Sequence, residues 1–333
     1  MVTPLYGSHM KLGARMTDFA GWEMPVQYSS IVDEHRATRT SAGIFDVSHM
    51  GELWVSGEGA YEYIEYLATN DMSRLKRGKW AYSPICAQGG GTVDDLIVYP
   101  VEDGFLCCVN ASNTFKDYEW FRLNAPAGVA VENHSDRYAQ IALQGPKAKE
   151  FLSAVPPELI LLKPATGYTG EKGFELYVQP EHAEAVWGSL LSAGATPCGL
   201  GARDTLRMEA AFPLYGHEIS ESISPIEGGL SRFVNFDKGE FIGRGSLLRQ
   251  LDDPNRRELI GLRSSGRVIP RQGYDVLCGG EKVGAVTSGG PGCFIGGQIA
   301  MALVYPCEGE FAVLVRGKPE PMERVPLPFY KSM

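Results

Sequence analysis

Gly89-Gly90-Gly91-Thr92-Val93-Asp94-Asp95-Leu96-Ile97-Val98-Tyr99 runs three glycines into two carboxylates and then into an apolar segment. The glycines give the backbone the positive-φ freedom of a tight turn, and Leu96 to Tyr99 read as a buried strand. Side chains alternate along a strand, so Asp95, Ile97 and Tyr99 share one face while Asp94, Leu96 and Val98 share the other. At most one aspartate then faces a given pocket. Taken alone, both are turn or strand-start residues bonding backbone amides. Other segments must decide between that and a chemical role.

Around this run lies the composition of a globular protein. The chain has 333 residues, 44% of them apolar, enough for two or three packed domains. No run approaches the ~18 apolar residues of a membrane span. The start, Met1-Val2-Thr3-Pro4-Leu5, has neither a basic nor an apolar leader region, so a cytoplasmic protein is expected. The net charge is −9 and no basic block exceeds Arg256-Arg257, which argues against a nucleic-acid partner. Seven cysteines without a Cys-x-x-Cys pair argue against a disulfide framework or a zinc ribbon. Of the vicinal Cys107-Cys108, one thiol is expected to face inward and be inert. No HExxH motif, calcium loop or paired His/Cys spacing appears, and no metal is expected.

Ser30-x-x-Asp33 is a capping box that predicts a helix from Ile31 to Ser41, with Gly43 just beyond its end. Tyr63, Ile64, Tyr66 and Leu67 form one apolar helical face, and Val186, Trp187, Leu190 and Leu191 another. A helix from Arg203 to Ala211 follows Gly199-Leu200-Gly201, which lacks the third glycine of a dinucleotide fingerprint. Helices and strands interleave up to Leu251, and Asp252 to Asn255 read as a linker. Beyond it lie only short strand runs, Glu258 to Leu262, Lys282 to Thr287, Ile299 to Val304 and Phe311 to Val315, the pattern of a small all-β barrel. The expected division is 1–251 for two interleaved α+β domains and 256–333 for the barrel.

Several stretches together resemble the glycine cleavage system T-protein family: Asp18 to Pro25, Phe45-Asp46-Val47-Ser48-His49-Met50-Gly51-Glu52, the aspartate run, Leu143-Gln144-Gly145-Pro146-Lys147, Thr166 to Glu171 through Glu175, Gly199 to Asp204, and Leu214-Tyr215-Gly216-His217-Glu218. They span about three quarters of the chain in the family's order. The resemblance implies an α+β fold of three domains arranged like a cloverleaf, with a C-terminal all-β barrel. It implies a tetrahydrofolate-dependent aminomethyltransferase, with no metal. The substrate is an aminomethyl group on the lipoyl arm of a carrier, the H-protein; ammonia is released and methylenetetrahydrofolate formed.

By the same resemblance Asp95 is the catalytic aspartate, which would stabilise iminium-like charge and orient or accept a proton from a folate nitrogen. Glu175 is the pterin-recognising glutamate, able to accept an adjacent ring N–H and amine in parallel, and Gly167-Tyr168-Thr169-Gly170 would let backbone approach a flat ring. Without the resemblance, Glu175 is a solvated residue near a turn. Arg203 is the family's folate-contacting arginine; otherwise it is a surface residue paired with Asp204 or Glu209. Met50, Tyr82, Asn110 and Tyr215 line the folate pocket, and Tyr330, or Phe329 after a one-residue slip, closes it. Arg207 is given a packing or salt-bridge role, and His49 is expected to be a buried, hydrogen-bonded histidine outside the site.

Three departures from the family stand out: Ala165 where an arginine is usual, a shortened Val155 to Pro164, and Ser288 to Gly296 in place of a Ser-Pro-Thr-Leu turn. Two rival readings stand beside this one. A folate-dependent demethylase of a small methylamine needs a flavoprotein partner, because this chain has no flavin-binding segment. A non-catalytic folate-binding iron–sulfur assembly factor carries a cysteine that Lys238-Gly239-Glu240-Phe241 lacks.

Overall fold

The computed structural model describes residues 1–73 and 75–332. The three-glycine turn sets the start of its central strand, Thr92–Val101. Gly90 has φ +88°, and at Gly91 a Cβ would lie 1.9 Å from the Glu221 carbonyl oxygen, so neither position admits another side chain without a backbone shift. Thr92 then donates its N–H to the Ser220 carbonyl, which pins the turn to the far loop.

This strand belongs to a five-stranded antiparallel sheet in the order Ala81–Cys86, Thr92–Val101, Gly104–Val109, Gly51–Gly57, Val129–Asn133. A second five-stranded sheet runs Ile160–Leu162, Gly173–Val178, Ala139–Gln144, Gly43–Asp46, Thr196–Pro197. The first sheet is inserted into the second. Gly43–Asp46 pairs directly with Ala139–Gln144, and the chain between them builds the whole first sheet. The remaining strands close a six-stranded antiparallel barrel: Glu258–Ser264, Gln298–Val304, Glu281–Pro291, Asp275–Cys278, Phe311–Val315 and Lys318–Val325. Asp275–Cys278 and Lys318–Val325 escaped the sequence reading, since the first has four residues and the second is interrupted by Pro319 and Pro321.

Each sheet has its own apolar core. Tyr63, Ile64 and Leu67 pack with Leu53, Val98 and Phe121 on the first, and Val186, Trp187 and Leu190 with Ile44, Ile141 and Leu176 on the second. Tyr66 does not join the apolar face expected of it: it is 41% exposed, because the helix Ala60–Leu67 buries a narrower stripe. The other faces of the two sheets meet through Tyr99, Leu106, Cys108 and Tyr177. The first sheet is therefore covered on both sides, and both Cys107 and Cys108 are buried, not one of them.

The capping box is present: Ser30 Oγ accepts from Asp33 N–H at 3.1 Å at the head of helix Ile31–Thr40. Gly43 does not terminate that helix. It opens a strand, and a Cβ there would collide with Thr38 and Cys198. Helix Leu200–Glu209 starts three residues earlier than expected and packs against Ile31–Thr40. Their contact is ionic: His35 Nε2 lies 3.0 Å from Glu209 Oε2, Arg39 bridges Glu209 and Glu171, and Thr205 bonds His35 Nδ1. The barrel docks on the same helix. Arg207 donates to Ser288 Oγ and pairs with Asp204 and Glu218, while Glu209 Oε1 accepts the N–H groups of Phe294 and Ile295. The unusual Ser288 to Gly296 segment is thus the part of the barrel that grips this helix.

Candidate active site

The two aspartates keep the alternation of their strand, yet one side chain reaches both. Asn110, at the end of strand Gly104–Val109, donates through Nδ2 to Asp94 Oδ1 and to Asp95 Oδ1, each at 2.8 Å. Asp94 is buried and takes two more bonds, from Asn113 Nδ2 at 2.9 Å and Asn110 N at 3.1 Å. Asp95 is half-buried, and its Oδ2 accepts from the Tyr82 hydroxyl at 2.9 Å. Tyr82 lies opposite Ile97 in the neighbouring strand, two residues from Asp95 on the same face, which is why the contact forms. Phe233 supports its ring edge-on at 4.7 Å.

The same contacts set the protonation of Asp95. Burial and the neighbouring Asp94 charge raise its carboxyl to about 7, against the hydrogen bonds from Tyr82 and Asn110, which favour the anion. A carboxyl so placed is balanced between acid and base near neutral pH.

Glu175 is not the solvated turn residue of the unaided reading. It sits within strand Gly173–Val178, 8% exposed, with Thr166 Oγ1 donating to Oε2 at 2.5 Å. Burial raises its carboxyl, while Thr166 and the Arg203 cation pull the other way. Arg203 makes no ion pair with a carboxylate among the described residues; its guanidinium lies 4.5 Å from the centre of the Tyr168 ring. Asp204 and Glu209, its alternative partners, are taken by Arg207 and by His35 with Arg39. The glycines beside Tyr168 make room for protein neighbours on their Cβ sides. A Cβ on Gly167 would strike the Gln144 amide, and one on Gly170 would lie 2.7 Å from Ala210 Cβ. They let Gln144 clip the loop, through Thr166 C=O and Thr169 Oγ1.

Among the other expected residues, Met50 packs both against Ala202 and Leu206 of the Arg203 helix and against the Tyr99–Tyr177 layer. Tyr215 lies under Lys116, whose Nζ is 4.3 Å from the ring centre and donates to the Tyr215 hydroxyl. Asp95, Tyr82 and Asn110 are thus in direct contact, and Glu175 and Arg203 feel each other's charge. Tyr330 sits at the helix pair: Arg39 stacks on its ring at 4.0 Å, and its N–H bonds Glu209 C=O. Phe329 turns to the barrel, its Cε1 3.1 Å from where a Cβ of Gly261 would be.

Tyr168 escaped the sequence reading. It is half-buried, its hydroxyl bonds the Pro213 carbonyl, and it bears electrostatically on Tyr82 and Asp95 as well as Arg203. Its place between two glycines was the available signal. His49 is buried as expected but not hydrogen-bonded. Neither ring nitrogen has a partner among the described residues, and burial and Arg203 hold its imidazole down to about 4. Glu52, also buried, has one unpartnered oxygen and is pushed well up by burial and by Glu175.

Two family profiles match the chain, the GCVT N-terminal domain over 5–162 and 158–238 and the glycine cleavage T-protein C-terminal barrel domain over 257–331. The chain belongs to the glycine cleavage T-protein family. It is 46% identical over 355 residues to an aminomethyltransferase of Desulforamulus reducens, covering 99% of this chain and 98% of that one. Over 356 residues it is 46% identical to an aminomethyltransferase of Moorella thermoacetica, covering 99% and 97%. The crystal structure of glycine cleavage system aminomethyltransferase T from Bartonella henselae superposes with a TM-score of 0.91 at 32% identity, covering 100% of this chain and 98% of that one. This T-protein family member is accordingly an aminomethyltransferase of the glycine cleavage system, and the demethylase and assembly-factor readings are not favoured. No helix among the described residues is long and apolar enough to cross a membrane.

Proposed function

We propose that the chain transfers the one-carbon unit of an aminomethyl group, held as a thioether on the lipoyl arm of H-protein, to tetrahydrofolate. The products are ammonia, 5,10-methylenetetrahydrofolate and the free dihydrolipoyl thiol. The reaction balances without an oxidant. The carbon forms two bonds to folate nitrogens as its bonds to sulfur and nitrogen break, and the two folate N–H protons end on ammonia and thiol.

Asp95 is the catalytic residue of this reading. As the carboxylate it faces the cationic nitrogen and iminium-like carbon that develop when the carbon–sulfur or carbon–nitrogen bond opens, and it takes up a folate N–H proton. The observation that carries the proposal is the hold on its two oxygens by Asn110 and Tyr82, which leaves a half-buried carboxyl balanced near pH 7. Glu175, with the adjacent Arg203 cation, would bind the pterin by its N–H edge. Tyr82, Tyr215 and Met50 supply apolar contact to the folate, and Asn110 fixes Asp95. Tyr330 is the closing aromatic, reaching the ligand from its stack on Arg39. Residues 1–251 would form the folate-binding catalytic region and 256–333 the barrel domain, in a cytoplasmic protein.

The deciding assay is ammonia release from aminomethylated, lipoylated H-protein with and without tetrahydrofolate. Release that depends on folate supports both substrates. Folate binding without release refutes the transfer.

A further inference from the structure

Behind Asp95 the chain buries a third acid. Asp117 lies in the first turn of helix Thr114–Asn124, screened from solvent, and neither carboxyl oxygen accepts a hydrogen bond from a described donor. Lys116 Nζ is 3.7 Å from Oδ1, but it is committed to the Val93 carbonyl and the Tyr215 hydroxyl. What Asp117 faces is Asp94: Asn113, four residues before it, donates to Asp94 Oδ1, and Lys116, next to it, donates to the carbonyl of Val93, the neighbour of Asp94. Two carboxyl groups facing each other form a bond only when one of them carries a proton.

The surrounding donors show which one. Asp94 accepts three hydrogen bonds, from Asn110 Nδ2, Asn113 Nδ2 and Asn110 N, as a carboxylate does. Asp117 accepts none. The groups facing Asp117 are Asp94 and Asp95 from the central strand and Lys116 from its own helix. Burial and Asp94 drive the Asp117 carboxyl up to about 11, against the pull of Lys116. Its orphaned oxygens are then those of a neutral acid donating through O–H.

We propose that Asp117 is a positioning residue for the transfer, a neutral acid whose O–H donates to Asp94 and thereby steadies the Asn110 amide that Asp94 and Asp95 share. The inference rests on the role of Asp95 given above. Both N–H groups of the Asn110 side chain are in use, one on each aspartate, so the amide cannot turn without breaking a bond to one of them. Taking away the Asp117 O–H leaves Asp94 one donor short next to that amide. Asp95 then loses its fixed orientation without losing any direct contact.

Two measurements on the full chain test this. The first is the infrared difference between wild type and Asp117→Asn near pH ~8, where an ordinary aspartate is fully ionised. A carbonyl stretch of a neutral carboxylic acid, present in wild type and lost in the variant, is expected; its absence overturns the proposal. The second is turnover with aminomethylated H-protein. Asp117→Asn restores a neutral donor and should stay within about threefold of wild type, whereas Asp117→Val should lose about tenfold in kcat with the tetrahydrofolate KM little changed. Equal losses in the two variants, or full turnover in Asp117→Val, overturn the positioning role. If Asp117→Val does not fold, the band and the Asp117→Asn rate still decide. The band reports the proton whatever the substrate is. Failure of the functional reading appears separately, as wild-type protein that carries the band but releases no ammonia with tetrahydrofolate.

Discussion

Two clusters of buried charge stand in this molecule, and they are built on opposite principles. Between helices Ile31–Thr40 and Leu200–Glu209, Glu209 meets His35, Arg39 and two backbone N–H groups, so that burial is outweighed and its carboxyl is held below its ordinary range. At the end of the central strand, Asp94, Asp95 and Asp117 crowd together with amides and a single lysine, and the carboxyls of Asp95 and Asp117 are pushed up. The first cluster matches each charge with its opposite and serves the docking of helices and barrel. The second keeps like charges close and leaves one of them, Asp95, half-buried within the field of Tyr168. Like charges held together cost stability, and this arrangement is what suits a carboxyl to proton transfer near neutral pH.

The contrast breaks most visibly at its centres. Asp95→Ala is expected to lower turnover by about 10²–10⁴ while leaving tetrahydrofolate binding and thermal stability close to wild type. Single-turnover ammonia release checks it, and an alanine variant of near-normal rate would remove Asp95 from the chemistry. Glu209→Ala should do the reverse. It takes from His35 its Nε2 partner and from Arg39 one of its two carboxylates, an effect of about 3 kcal/mol on unfolding by denaturant. A mild loss would mean that the helix pair is held by its apolar contacts instead.

Smaller effects sharpen the picture. Glu175→Gln removes a charged acceptor, and each such bond contributes about 1.5–3 kcal/mol, so tetrahydrofolate affinity should fall roughly 10- to 100-fold by calorimetry. Unchanged affinity would place the pterin elsewhere.

The smallest effect is on the pH dependence of stability. Asp95 has a raised folded value, so between pH ~4 and about 7 the native chain holds a proton that the unfolded chain releases, and stability falls as pH rises through that window. Glu209 has a lowered value, so its contribution is present above the ordinary glutamate range and is lost as pH falls through its folded value. Denaturant curves at a series of pH values should show Asp95→Asn removing the first slope, which is no steeper than ~1.4 kcal/mol per pH unit, and Glu209→Gln the second, of opposite sign. Slopes of the same sign in both clusters would erase the distinction drawn between them.

Much of the architecture was legible in local pattern. The capping box at Ser30, the glycine turn before Thr92 and the run of short strands after Glu258 each follow from backbone preferences that act over a few residues. The two-sided burial of the first sheet was not, so only one thiol of Cys107-Cys108 was expected inside where both are buried. Whether a face is covered depends on a second sheet whose strands lie far away in sequence. At the site, Asp95, Tyr82 and Asn110, expected about one ligand, are in direct contact, while Tyr330 stacks on Arg39 and Tyr168, unassigned by the sequence, lies against Arg203.

The sequence by itself determined the family, the barrel and the two aspartates on alternate faces of a strand, because motifs and side-chain periodicity are properties of contiguous residues. Only the tertiary structure decided which carboxyl carries charge. Protonation is set by burial and by neighbours such as Asn110, Asn113 and Lys116, which the fold brings to Asp94, Asp95 and Asp117 across strand and helix boundaries. A free aspartate has one ordinary affinity for protons; Asp95 and Asp117, brought close to other acids and away from water, do not keep it.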